Sequence, residues 1–214
     1  MPNIIDFSYF INDIYVPMVS VPSVQSQSVP TIKNVLIDKI NVIEKSILLN
    51  ALGLELYNEV QSNLADLPSA PQKIKDLVNG CTYDGKIWEG LKNPKSLIAY
   101  AVYYYFLDDV EKGIFAPHGV YKLADSEKEK FSPMYKMAYS WNVFLNKYQS
   151  GFYKIGHSTI DEVEYIDFID TQESIERSLF QFLFDKMDTY NFDQTKFRYY
   201  NVKQTSGIWI NTMT

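Results

Sequence analysis

Apolar residues recur at intervals of three and four from Val35 onward: Val35, Leu36, Ile40, Ile43, Ile47, Leu48 and Leu52. This spacing gathers them on one side of an α-helix that opens after Pro30 and Thr31 and closes at Gly53. Glycine suits the left-handed conformation that ends a helix. Leu54, Leu56, Tyr57, Val60 and Leu64 carry a second, shorter helix away from that corner. Pro68 and Pro71 precede a short helical segment, Gln72 to Val78, stopped by Asn79 and Gly80.

Alternation replaces helical spacing at Thr82-Tyr83-Asp84-Gly85-Lys86-Ile87-Trp88. Asp-Gly between β-prone flanks is the strongest local signal for a two-residue hairpin turn. Pro94 is expected in the first turn of a helix running to about Glu111. The centre of that helix, Ala99 to Leu107, holds five aromatic residues and no charge, so it should be buried all round. Lys112 and Gly113 end it, and Ile114 to Ala124 reads as a loop. Ser132 as cap and Pro133 at the first position start another helix, to about Tyr148, with Met134, Met137, Ala138, Trp141, Phe144 and Leu145 on one side. Phe152 to Phe168 suggests one or two strands or an irregular extended segment. Helical spacing returns over Glu173 to Met187 through Ile175, Leu179, Phe182, Leu183 and Phe184, with acids first and Lys186 near the end, as the helix dipole prefers.

The ends are different material. Residues 1 to 30 carry Pro2, Pro17, Pro22 and Pro30 and only two charges, Asp6 and Asp13. They read as an extended arm, because proline fixes φ and removes donors. Ile4, Ile5, Phe7, Tyr9, Phe10, Ile11, Ile14 and Tyr15 need cover, either from the chain's own core or from a neighbouring subunit. Residues 191 to 214 read as a polar and aromatic tail. The fold class is therefore mainly α: a helical bundle over residues 31 to 190, with a small β-hairpin at about 81 to 90, an irregular acidic segment at about 152 to 172, and extended N- and C-terminal arms.

Composition narrows the chemistry. The chain has 214 residues, 46% hydrophobic and 15% aromatic, which places it among globular proteins. A net charge of −6 argues against a general grip on phosphate backbones. Two histidines, His118 and His157, and one cysteine, Cys81, exclude an internal disulfide and leave too few ligands for structural zinc. No leader and no long apolar span is evident, so no membrane role is expected. No phosphate-binding glycine loop and no Gly-x-Ser-x-Gly elbow is present, and the expectation is no catalytic residue, no cofactor and no metal. Cys81 reads as a packing residue.

Three clusters are ambiguous. Residues 155 to 176 hold seven acids (Asp161, Glu162, Glu164, Asp167, Asp170, Glu173 and Glu176) and no Lys or Arg. This run fits a solvated or DNA-repelling face better than a Ca²⁺ loop, whose ligand spacing and glycine it lacks. Tyr100, Tyr103, Tyr104, Tyr105 and Phe106 fit a core better than a ligand platform. Lys196, Arg198 and Lys203, interleaved with Phe197, Tyr199 and Tyr200, fit a subunit-contacting tail, ordinary packing or a weak single-strand nucleic-acid grip.

In order and spacing, Leu52-Gly53-x-x-Leu56-Tyr57, Asn79-Gly80-x-x-Tyr83, Trp88-Glu89-Gly90-Leu91, Ala99-Tyr100 with Tyr103-Tyr104, His118-Gly119-Val120 and Trp141-Asn142 resemble the head-to-tail connector proteins of tailed phages infecting Bacteroidetes, including the crAss-like group. The resemblance covers roughly residues 35 to 145. It implies a virion structural protein, a helical subunit of a ring in the neck between portal and tail, assembled in the host cytoplasm. The ring would be a homo-oligomer, a dodecamer by likeness to other portal-bound connectors. Its partners would be the portal and other connector or tail proteins, with DNA passing during genome ejection and no sequence-specific binding. Tyr83 and Trp88 would pack onto the aromatic helix that follows. Subunit contacts would fall on Ile5, Phe7, Tyr9, Phe10, Ile14, Tyr15, Phe197, Tyr199, Tyr200 and Trp209. Asp161, Glu162, Glu164, Asp167 and Asp170 would face the channel.

Two readings from other classes stand beside it. One is an intracellular enzyme or ligand-binding protein with a pocket against the Tyr100 to Phe106 helix, using Asp108, Asp109 and Glu111. The other is a cytoplasmic scaffold.

Overall fold

A computed structural model describes residues 2–16, 32–111, 134–150, 152–160, 163–170 and 175–200. The architecture is mainly helical with a small antiparallel hairpin, as the periodicity predicts. The helices are α1 (Ile32–Asn63), α2 (Gln72–Asn79), α3 (Leu97–Glu111), α4 (Met134–Gln149), α5 (Leu179–Asp185) and α6 (Met187–Tyr190). The strands are β1 (Cys81–Tyr83), β2 (Lys86–Trp88), β3 (Phe152–Ile160) and β4 (Val163–Asp170). The chain divides into two compact units, the first from residues up to Leu48 with Pro94–Phe144 and the second from Leu49–Asn93 with Leu145–Tyr200.

In the first unit the described part of the N-terminal segment, residues 2–16, is not extended. Residues 7–9 and 12–14 each form a single 3-10 turn, and the Asp6 carboxylate caps the first by accepting from the Ser8 N–H at 2.7 Å. Ile4, Ile5, Phe10, Ile14 and Val16 are buried. The stripe of α1 that turns inward runs Leu36, Ile40, Glu44, Ile47, Leu48, with Ile43 only half-buried. A glutamate thus stands on a face that helical spacing reserves for apolar residues. α3 starts at Leu97, later than the expected Pro94, because Ser96 is the cap: its hydroxyl accepts from Ile98 at 3.3 Å. From Leu97 to Tyr104 every residue of α3 is buried, as expected of the uncharged centre, whereas Tyr105 and Leu107 at its end are only half-buried. Tyr104 meets Trp141 of α4 at 4.8 Å between ring centroids, and Trp141 meets Phe144 at 5.0 Å.

The second unit contains the hairpin. Asp84 and Gly85 both have positive φ, 46° and 74°, as a two-residue turn of the primed type requires, and Cys81 pairs with Trp88, Thr82 with Ile87 and Tyr83 with Lys86. At Gly53, φ 71°, α1 is kinked where the sequence ends one helix and starts another. Gly80 and Gly90 have φ 87° and 85°, and a Cβ on either would lie 2.4 Å from backbone atoms, those of Trp88 and of Asn79 and Gly80 respectively. Two main-chain segments therefore pack in direct contact there. Leu91 and Lys92 donate to the carbonyls of Leu77 and Val78 at 3.2 and 2.8 Å, and Trp88 Nε1 donates to Leu77 at 3.1 Å.

The last helical stretch departs from expectation. Helix α5 starts at Leu179, six residues after Glu173. Residues before it run beside β2: Ile87 donates to the Ile175 carbonyl at 2.7 Å and accepts from Arg177 at 2.9 Å. A capping box fixes the start, with Ser178 Oγ accepting from the Gln181 N–H and Gln181 Oε1 accepting from the Ser178 N–H at 3.0 Å. The acidic segment is a two-stranded antiparallel pair, β3 with β4, with a register shift between Lys154 and Gly156.

Candidate functional site

Two constellations and a cleft carry the polar chemistry of the described residues. The first holds the N-terminal segment. Asp13 accepts from the Tyr100 hydroxyl of α3 at 2.6 Å and from the Tyr139 hydroxyl of α4 at 3.1 Å. Burial pushes the Asp13 carboxyl up, but the two hydroxyls, its own amide and Lys95 outweigh this and hold it below the ordinary range. Lys33 lies over the Phe7 ring at 3.9 Å, and Lys39 pairs with Asp109. Apolar and aromatic side chains are exposed on the segments that carry this cluster, among the polar Asn12, Lys95 and Lys136: Ile11 and Tyr15, two residues to either side of Asp13, are 52% and 51% exposed, and Tyr139 and Tyr135, one turn apart on α4, are 41% and 75% exposed.

The second constellation centres on Asp185 in the other unit. Its carboxylate accepts from Arg177 Nε at 3.0 Å, from the Tyr83 hydroxyl at 2.9 Å and from Lys86 Nζ at 3.2 Å. Burial alone would raise this carboxyl; the donors of Arg177, Tyr83 and Lys86 reverse the effect and lower it. Burial, and then the Asp185 acceptor, drive the Tyr83 phenol well above its usual value. Beneath lies an aromatic floor, with Trp88 stacked on Phe182 at 5.4 Å and Tyr83 edge-on to it at 6.0 Å. Tyr83 and Trp88 thus pack on α5, which supplies a buried aromatic face beside the hairpin. Burial and the nearby Asp76 push the Cys81 thiol up to about 11, consistent with an unreactive packing residue.

A cleft of about 820 Å³ opens at the Gly53 kink, walled by Leu52, Leu54, Lys73, Phe192, Lys196 and Arg198 among others. Two ion pairs stand in its wall, Lys73 with Glu59 at 2.7 Å and Lys196 with Asp193 at 3.6 Å, beside Glu55 and Arg198. None of Asp108, Asp109 or Glu111 lines it. Among the described residues no group of three or more His, Cys, Asp or Glu could hold a metal ion, and no helix is long and apolar enough to cross a membrane.

Several residues assigned to subunit contact sit elsewhere. Ile5, Phe10 and Ile14 are 2% exposed and Phe197 is 7% exposed, so the folded chain already covers them. Phe7, Tyr9 and Tyr200 are half-buried, whereas Tyr15 and Tyr199 are open to solvent. The tail up to residue 200 belongs to the second unit: Arg198 donates to the Asn50 carbonyl at 2.7 Å, and the Gln149 side-chain amide bonds both the N–H and the carbonyl of Tyr200 at 2.8 Å. Phe197 lies against Phe180 at 4.3 Å and Tyr148 at 4.7 Å, which removes it from any base-stacking platform. Glu164, Asp167 and Asp170 fall on β4. Asp161, Glu162, Trp209, His118, Lys203, the extended stretch of Val16 to Pro30 beyond Val16, the loop 114 to 124 and the Ser132 and Pro133 helix start lie outside the described residues.

No local motif announces Asp185, whose partners lie 8, 99 and 102 residues away. Glu44 left a trace, a charge at the i+4 position from Ile40. No protein-family profile, characterised protein or solved structure matches the chain.

Proposed function

We propose that this chain is a non-enzymatic assembly subunit, a head-to-tail connector that forms a homo-oligomeric ring between portal and tail in the phage neck. The observation that carries the reading is the exposure of Ile11, Tyr15, Tyr135 and Tyr139 on two segments joined through the Asp13–Tyr139 hydrogen bond. Tyrosine-rich apolar surface of this kind is characteristic of the central part of protein interfaces. The order of connector-like motifs adds support, since Gly53, Gly80 and Gly90 occupy positions where a left-handed backbone or close main-chain contact excludes a side chain. Ring contacts are heterologous, so the patch would meet a different surface of the next subunit, and twelve copies are proposed for closure. The acid-rich β3–β4 segment, with its Glu164, Asp167 and Asp170, suits a passage that must not hold phosphate, because net attraction of phosphate is what makes nonspecific binding strong.

Native mass spectrometry and negative-stain microscopy of the full-length protein test this. The expected result is a closed ring that Tyr135→Arg together with Ile11→Arg disperses into folded monomers. A protein that stays monomeric at high concentration and with purified portal present would refute the assignment.

A further inference from the structure

Glu44 is the buried carboxylate of the described residues, 1% exposed, in a setting made by Ile4, Ile5, Ile40, Ile47 and Leu48. It reaches back some forty residues along the chain. Oε1 accepts from the Ile4 N–H at 2.8 Å and Oε2 from the Ile5 N–H at 3.1 Å. Neighbouring charges are otherwise engaged: Lys33 with Phe7, Lys39 with Asp109, and Asp13 with Tyr100 and Tyr139, while Lys45 is exposed. Tyr9 is the titratable side chain that senses the Glu44 charge, and Asp6 acts on the same hydroxyl. No cation is paired with Glu44 among the described residues.

We infer that Glu44 and the Ile4 and Ile5 amides form a proton-operated latch on the N-terminal segment, tight when the carboxyl is protonated and loose when it is ionised. An ionised carboxylate in an apolar site without a cation has given up its hydration, and two amide donors restore only part of it. Burial accordingly raises the carboxyl from its ordinary 4.5 to about 7, against the downward pull of the two amides. The docked value lies above the released value, so the proton's contribution to docking is complete below 4.5 and is lost as pH rises through about 7. Tenfold per pH unit across that window gives a change in the docking equilibrium of up to about 300-fold. The latch does not depend on the ring proposal, since every contact in it is internal to one chain.

Amide hydrogen exchange of Ile4 and Ile5 in the full-length protein, corrected for the intrinsic pH dependence of exchange, gives the opening equilibrium directly. Opening is expected to rise at least about tenfold between pH 5.5 and 8.5, and to change less than about twofold in Glu44→Gln, which stays neutral. A wild-type change under twofold, or an equal rise in Glu44→Gln, overturns the latch. If Glu44→Gln does not fold, the carboxyl ¹³C titration of Glu44 in the wild type decides. A midpoint above about 5.5 supports the latch, and one below it refutes it.

Discussion

Alanine at Gly80 would put a methyl carbon 2.4 Å from the Trp88 carbonyl oxygen and 2.5 Å from the Glu89 carbonyl carbon. The obstructing atoms are backbone, so no rotamer change relieves the clash. Two costs combine. At φ 87° and ψ 164° Gly80 lies in a region essentially reserved for glycine, where a Cβ costs about 1–3 kcal/mol. Moving the segments apart then breaks some or all of the bonds from Leu91, Lys92 and the Trp88 indole to the carbonyls of Leu77 and Val78. At about 0.5–1.5 kcal/mol each, their loss brings the total to roughly 3–7 kcal/mol, a large part of the ~5–15 kcal/mol that holds a domain together. Gly85→Ala is the internal control, because φ there is also positive, 74°, but nothing lies within 4 Å of the new carbon. It should cost only about 1–2 kcal/mol. Urea unfolding followed by circular dichroism compares the two. Equal costs, within about 0.5 kcal/mol, would mean that the backbone contact is not what selects glycine at position 80.

Other consequences are open to measurement. Asp185→Asn leaves the Arg177 guanidinium, whose side chain is 2% exposed, without its carboxylate, and should destabilise by about 3–5 kcal/mol in the same assay. The Asp185 carboxyl is lowered in the folded state, so its stabilisation is present above the ordinary 3.8 and is lost as pH falls through the folded value. The acid limb of the wild-type stability profile should therefore be steeper than that of the variant. Ser178→Ala removes both the capping box and the hydroxyl's bond to the Ser150 carbonyl at 2.9 Å and should cost about 1–2 kcal/mol; thermal melts that show no loss for the alanine variant would remove the cap from the account of α5.

How far the sequence was readable follows from where each structural cause lies along the chain. The hairpin was legible because Asp84-Gly85 is a local solution to a local demand, two successive positive φ angles. The kink at Gly53 and the burial of α3 were legible for the same reason, a single glycine and an uninterrupted uncharged run. The start of α5 was misplaced because Ile175 falls in helical register with Leu179 by chance, whereas its backbone carbonyl is taken by Ile87. Ser178 and Gln181, three apart, were the signal that would have corrected it. Covering of the N-terminal segment could not be derived locally. It depends on Glu44 and on Tyr100, some forty and eighty-seven residues away from their partners, and nothing near Ile4 or Asp13 announces either.

Trp141 lies buried in one compact unit and Trp88 in the other, each against aromatic neighbours. Once Trp209 is replaced by phenylalanine, the protein carries one tryptophan per unit, which excitation at the red edge of indole absorption selects over its tyrosines. Removing either in turn gives a pair of optical probes. Superimposable melting curves would mean that the two units lose their structure as a single cooperative block. Separated curves would rank them, and would identify which half of the polypeptide first exposes its ring-packed interior on heating.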